Sequence, residues 1–302
     1  MSTTFKTISN DMKSSLKLAW GKALSYFLAN LGMVFVVVIL ALLIALPIAS
    51  VVLLTLYPFD PATMTALGQW ATANPLVVAA LIGLIAIPII SLFLVVSGSI
   101  YGMSYDLVAK GDTKAETAFS YLRHKFLTFF ATGTMLTIIV LLPPALVWEL
   151  VAIAMNGNLG YSVPALMTAI TFVWVFFTAG LTSMVFPAVV SGKGVQTAFK
   201  ESFTLARSHF DRIFGVLSAI VLLLAVTFGP IVVLGFAMPF VSGTIFIALV
   251  PAIAAAALWT IVSAFLWLLL FLPMVRILWV KVYQELTGGN IATQSVVDMP
   301  IV

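Results

Sequence analysis

The chain has 302 residues, of which 63% are hydrophobic and only 8% charged, with a mean hydropathy of +1.21. An ordinary soluble domain carries about 25% charged residues and has too little interior to hide this much apolar surface. The composition excludes a soluble enzyme, a disulfide scaffold and a disordered adaptor, and leaves an all-α polytopic membrane helix bundle.

Cysteine is absent, which removes thiol catalysis and thiolate metal sites. A net charge of +4 could suit a nucleic acid, but the placement of the charges points to a membrane surface and to no nucleic-acid partner.

In chain order, the residues up to Lys22 are polar and amphipathic. The apolar stretch behind them is too long for the core of a cleaved signal peptide. The first span is expected over Leu31–Leu56, inside the charge-free run from Lys22 to Asp60. A polar stretch, Pro61–Asn74, precedes a second span over Pro75–Ser97. The third begins at Phe126 and closes at Glu149, and a polar turn, Asn156–Ser162, leads into a fourth over Ala165–Val190. From Ile213 to Val275 there is no Asp, Glu, Lys or Arg. As one helix that run would measure about 95 Å against a ~30 Å hydrocarbon core, so it folds back, near Pro239–Gly243. Six spans result.

All 14 lysines and arginines then fall on one side. Lys6, Lys13, Lys17 and Lys22 precede the first span, and Lys110, Lys114, Arg123 and Lys125 separate the second from the third. Lys193, Lys200, Arg207 and Arg212 separate the fourth from the fifth, and Arg276 and Lys281 close the sixth. The positive-inside rule puts both termini and the two basic loops in the cytoplasm, with the protein in the cell membrane.

The three basic segments share a spacing. Leu16, Ala19, Ala23, Tyr26 and Phe27 align with Phe119, Leu122, Phe126, Phe129 and Phe130, and with Phe203, Ala206, Phe210, Ile213 and Phe214. Lys22 and Lys125 fall opposite His209. This stripe is one face of a helix, with Lys, Arg, Glu and Ser opposite it. Each segment reads as an amphipathic helix in the headgroup plane that runs into a transmembrane hairpin. The expected organisation is one membrane domain of three repeats, about 8–105, 106–192 and 193–285, then a short cytoplasmic tail over 286–302. Pro88, Pro187 and Pro273 bend the second span of each hairpin.

The segment Ala198–Arg207, with Phe186–Val190, Gly192–Gly194 and Val282–Leu286, resembles the glycerophosphoryl diester phosphodiesterase membrane-domain group and related inner-membrane families of bacteria and archaea. In that group the membrane domain sometimes precedes a soluble phosphodiesterase barrel. Too few residues follow Glu285 for that barrel, so the resemblance implies a fold and no catalytic residues.

The residues offer no catalytic constellation, no cofactor site and no metal site. His124 and His209 read as headgroup-facing polar residues, since no second carboxylate accompanies either. Gly192–Gly194 reads as a flexible break. Asp106 and Arg276, at span ends, are candidates to pair or to snorkel, and Ala252–Ala257 reads as a close-packing surface. Arg123, Lys125, Arg207 and Arg212 are the candidates for anionic headgroups or an acidic partner. Glu149, beside Trp148, is the one ionisable group near the outer end of a span; with Thr171 and Thr178 it marks a candidate transport path. The leading expectation is a non-enzymatic, lipid-interacting scaffold or accessory subunit at the cytoplasmic face, with a protein partner or a second copy. The alternative is a transporter, channel or lipid translocator with a path between the repeats.

Overall fold

The computed structural model describes residues 5–57, 60–155, 160, 162–237 and 243–289. Every regular element among them is helical. Lipid offers no partner for a backbone N–H or C=O, so a chain this apolar must bond its backbone within its own segments. The helices are α1 Phe5–Gly21, α2 Ala23–Leu56, α3 Pro61–Ala73, α4 Pro75–Lys110, α5 Ala115–Val140, α6 Leu142–Ala154 and α7 Ser162–Thr182. They continue with α8 Val185–Val190, α9 Val195–Ser208, α10 Phe210–Ala237 and α11 Gly243–Leu266, then a π turn, Trp267–Phe271, and α12 Leu272–Thr287.

Six stretches are long and apolar enough to cross a membrane: Ala23–Val51, Pro75–Lys110, Ala115–Ala154, Ser162–Val190, Phe210–Gly235 and Leu249–Thr287. The chain is thus an all-α, multi-pass membrane protein. Most of the fold-back expected near Pro239–Gly243 and most of the turn at Asn156–Ser162 lie outside the described residues. So do residues 290–302 of the expected tail.

One expected loop is a helix. Of the polar stretch Pro61–Asn74, Pro61–Ala73 forms α3, because Asp60 accepts the Thr63 amide at 3.0 Å as an N-cap and Pro61 presets the first turn. The bonds from Thr63 hold the exposed Asp60 carboxyl below its ordinary range.

The helices break where proline or sequence register demands it. Pro144 has no N–H for the carbonyl of Val140, and α5 ends there; the Trp174 indole donates to that carbonyl at 3.2 Å. Pro187 follows the break between α7 and α8, and Pro273 follows the π turn. At the α7–α8 break the Ser202 hydroxyl donates to Leu181 O at 2.7 Å and accepts the Met184 amide at 3.2 Å. Gly192, at φ +105, makes the turn between α8 and α9. Three more breaks fall at Lys22, at Lys125 (φ −120, ψ 17) and at His209. These are the positions aligned in the three basic segments.

The chain folds into two compact units. One comprises the stretch up to Asn30, Ile100–Thr117 and Phe203 onward; α1 packs there against α12, the π turn and α10. The other comprises Leu31–Ser99 and Ala118–Ser202. In it, small residues let helices touch: a Cβ on Gly133 would meet Leu94 Cβ at 2.9 Å and Ser91 O at 3.0 Å. Thr134 donates to Ser91 Oγ across the same crossing, at 3.0 Å. Of Ala252–Ala257, in the first unit, Ala256 is buried and the other alanines are exposed.

Ser202→Ala should cost about 1–3 kcal/mol, because it strands a buried carbonyl and a buried amide at once. The check is the thermal unfolding midpoint in detergent, which should fall clearly; an unchanged midpoint would mean the α7–α8 break is satisfied by other groups.

Candidate functional site: a buried charge cluster and an adjoining apolar groove

The first unit joins charges that lie far apart in the chain. Asp11 sits on the buried side of α1 with Ile8, Ser15 and Ala19. Arg212 is in the first turn of α10, while Lys281 and Glu285 stand one turn apart near the end of α12. Arg212 Nη2 donates to Asp11 Oδ2 and, at 2.8 Å, to Glu285 Oε2. Lys281 Nζ donates to Asp11 Oδ1 at 3.2 Å and to Ser14 Oγ at 3.0 Å. Two cations meet two carboxylates, so the cluster is neutral. The Asp11 and Arg212 side chains are 9% and 10% exposed. A charge at that depth is tolerable only when paired.

Polar groups continue along this packing. Ser15 Oγ, Arg212 Nη1 and both side-chain polar atoms of Gln284 are buried without a protein partner. Deeper along α12, Arg276 Nη1 donates to Asn30 Oδ1 at 3.1 Å. Asp106 binds Lys110 one turn on, at 3.1 Å. The hydroxyls of Tyr26 and Ser104 are 2.9 Å apart. Lys22 bonds Asp112, and that contact holds the exposed Asp112 carboxyl below the usual range. The lowered value means the contact is complete at neutral pH and loosens only below about pH 4.

Beside the cluster, α1 and α10 enclose a cavity of about 790 Å³ with the π turn and α12. Its walls are apolar, from Ile8, Met12 and Leu16 on α1 to Leu222 and Val226 on α10. Gly215 lets α1 approach: a Cβ there would lie 2.7 Å from Ile8 Cδ1.

The residues singled out from sequence separate into two groups. Arg123 and Arg207 are exposed, as are His124 and His209. Lys125 and Arg212 are engaged inside the protein. Lys125 Nζ donates to Val189 O at 2.8 Å and Val190 O at 3.1 Å, capping the end of α8. Arg212 is turned onto its two carboxylates.

Glu149 is half-buried on α6 and has no ion-pair partner among the described residues. Thr171 accepts the Trp148 indole N–H at 2.9 Å, and Thr178 donates to Trp174 O in its own helix at 2.7 Å. The cavity at Thr171 is apolar and about 120 Å³. No group of three or more His, Cys, Asp or Glu residues placed to hold a metal occurs among the described residues.

Sequence reasoning overlooked Asp11, Lys281 and Glu285 as a unit. The usable signal is Asp11 itself, the one acidic residue of α1, on the same side as Ile8, Ser15 and Ala19.

In comparisons with known proteins, the chain matches no family model, no curated protein and no solved structure.

Arg212→Ala should destabilise the protein by about 3–5 kcal/mol, because it leaves Asp11 charged and buried beside one lysine. Replacing Asp11 and Arg212 together by Leu and Met should cost far less. Thermal unfolding of the three proteins in one detergent checks this; equal losses in both variants would show that packing, not charge pairing, holds α1.

Proposed function

We propose that the protein is a non-enzymatic, multi-pass protein of the cell membrane. It holds lipid at the cytoplasmic face and serves as a scaffold or accessory subunit there. The observation that carries this reading is the placement of the three helix breaks. Lys22, Lys125 and His209 occupy one position of the threefold spacing, each where an amphipathic segment turns into an apolar helix. Burial follows the same register. Ser15, Ala118 and Ser202 are fully buried, and so are Tyr26, Phe129 and Ile213. On the opposite sides Lys6, Lys13, Lys17, Arg123, Lys200 and Arg207 are exposed. Three helices with one side packed and one side basic are suited to an anionic membrane surface.

The resemblance to the glycerophosphoryl diester phosphodiesterase membrane-domain group belongs to this proposal, for architecture and not for activity. A transport path ranks second, because the hydroxyls of Thr171 and Thr178 are already bonded to Trp148 and to α7 itself.

Arg123→Gln combined with Arg207→Gln tests the reading. Each basic residue near an anionic surface contributes about 1 kcal/mol, so the pair should lower retention of phosphatidylglycerol roughly thirtyfold. Native mass spectrometry of the purified protein counts the retained lipid. Wild-type retention by the double variant would overturn the lipid part of the proposal.

A further inference from the structure

The geometry points to the groove between α1 and α10 as a site for one zwitterionic phospholipid with a primary amine, of the phosphatidylethanolamine class. The inference deepens the lipid-holding reading and rests on it, at residues distinct from Arg123 and Arg207. Three observations carry it: the groove's size and direction, its opening, and the charges at its rim.

A cavity of about 790 Å³ is within the ~300–1,000 Å³ range of small-molecule sites. Along α10 its lining runs from Asp211 to Val226, which is about 22 Å of helix at ~1.5 Å per residue. One leaflet of the hydrocarbon core is about 15 Å deep. The groove is therefore long enough to take an acyl chain through a whole leaflet. Leu222 and Val226, on its wall, are 64% and 61% exposed. The groove thus opens sideways, and a lipid enters from the bilayer rather than from water.

The ionisable groups of the lining are Lys13 on α1 and Asp211 on α10, with the Ser9 hydroxyl one turn before Lys13. Asp211 lies in the first turn of α10. Both side chains are exposed, and neither has an ion-pair partner among the described residues. The neighbouring acid, Asp11, is committed to Arg212 and Lys281.

A phosphate suits Lys13 and Ser9, and an ammonium suits Asp211. A headgroup that carries both matches the rim. A purely anionic headgroup leaves Asp211 opposed by like charge. A quaternary amine has no N–H to donate to the carboxylate, which separates ethanolamine from choline headgroups.

The test places the intact protein in nanodiscs of equal phosphatidylethanolamine, phosphatidylcholine and phosphatidylglycerol. Native mass spectrometry of the released protein counts the bound lipids. The expected result is one retained phosphatidylethanolamine, favoured about fivefold over phosphatidylcholine, the size of one hydrogen bond of about 1 kcal/mol. Asp211→Leu, which leaves no acceptor at that position, should abolish that preference. Ala219→Trp, or Ser218→Phe should the first variant not fold, should remove the retained lipid by filling the groove. Equal retention of the three lipids, or an unchanged phosphatidylethanolamine signal in the filled-groove variant, overturns the inference. The Arg123→Gln, Arg207→Gln protein separates the two proposals. It should keep its phosphatidylethanolamine while losing phosphatidylglycerol; loss of both in this variant would also overturn the groove assignment.

Discussion

The pairing of Asp11 with Arg212 is the interaction on which the first unit depends. It ties α1, an N-terminal helix with three exposed lysines, to the start of α10 and the end of α12. The same helix supplies Ile8, Met12 and Leu16 to the groove wall. Docking α1 and building the groove are therefore one event. The cluster is neutral within itself, so α1 leaves no net buried charge behind when it docks. Its exposed Lys6, Lys13 and Lys17 stay available on the other side. Buried ion pairs contribute little net stability beside a well-packed apolar substitute. What this one adds is position: in this placement of α1, Asp11 accepts on one oxygen from α10 and on the other from α12.

A second constraint comes from the bilayer. Where a helix breaks in lipid, the freed backbone groups need partners from the protein. Trp174 serves the end of α5, Ser202 serves the α7–α8 break, and Lys125 caps α8. The polar residues of these spans are thus largely spent on the backbone. Thr132, Thr137 and Thr182 donate to carbonyls one turn earlier in the same way. A polar residue in an apolar span reads as a conduit until its hydroxyl is traced, and here the tracing ends in the helix.

The spans were legible in the sequence because charge-free runs in a chain this apolar have one physical meaning. The common spacing that aligns Lys22, Lys125 and His209 was legible, but the breaks there were not, since each segment reads as one helix running into its span. Helix α3 was not, since Pro61–Asn74 carries Gly68, Gln69 and Asn74 and reads as a loop until the Asp60 cap is seen. Lys125 and Arg212 resembled Arg123 and Arg207 because composition treats all basic residues alike. What separates them is position relative to the break: Lys125, at it, reaches the end of α8, and Arg212, just past it, faces α1, whereas Arg123 and Arg207 precede it. The cluster stayed hidden because its members lie as far apart as 11 and 285 in the chain.

The central claim is that α1 is a docked part of the fold and not a loose helix on the membrane surface. Hydrogen exchange of the wild-type protein in nanodiscs tests it most directly. The account predicts that amides between Ile8 and Ala19 exchange as slowly as those of the neighbouring α12, over hours. Exchange of that stretch within seconds, with α12 protected, would contradict it.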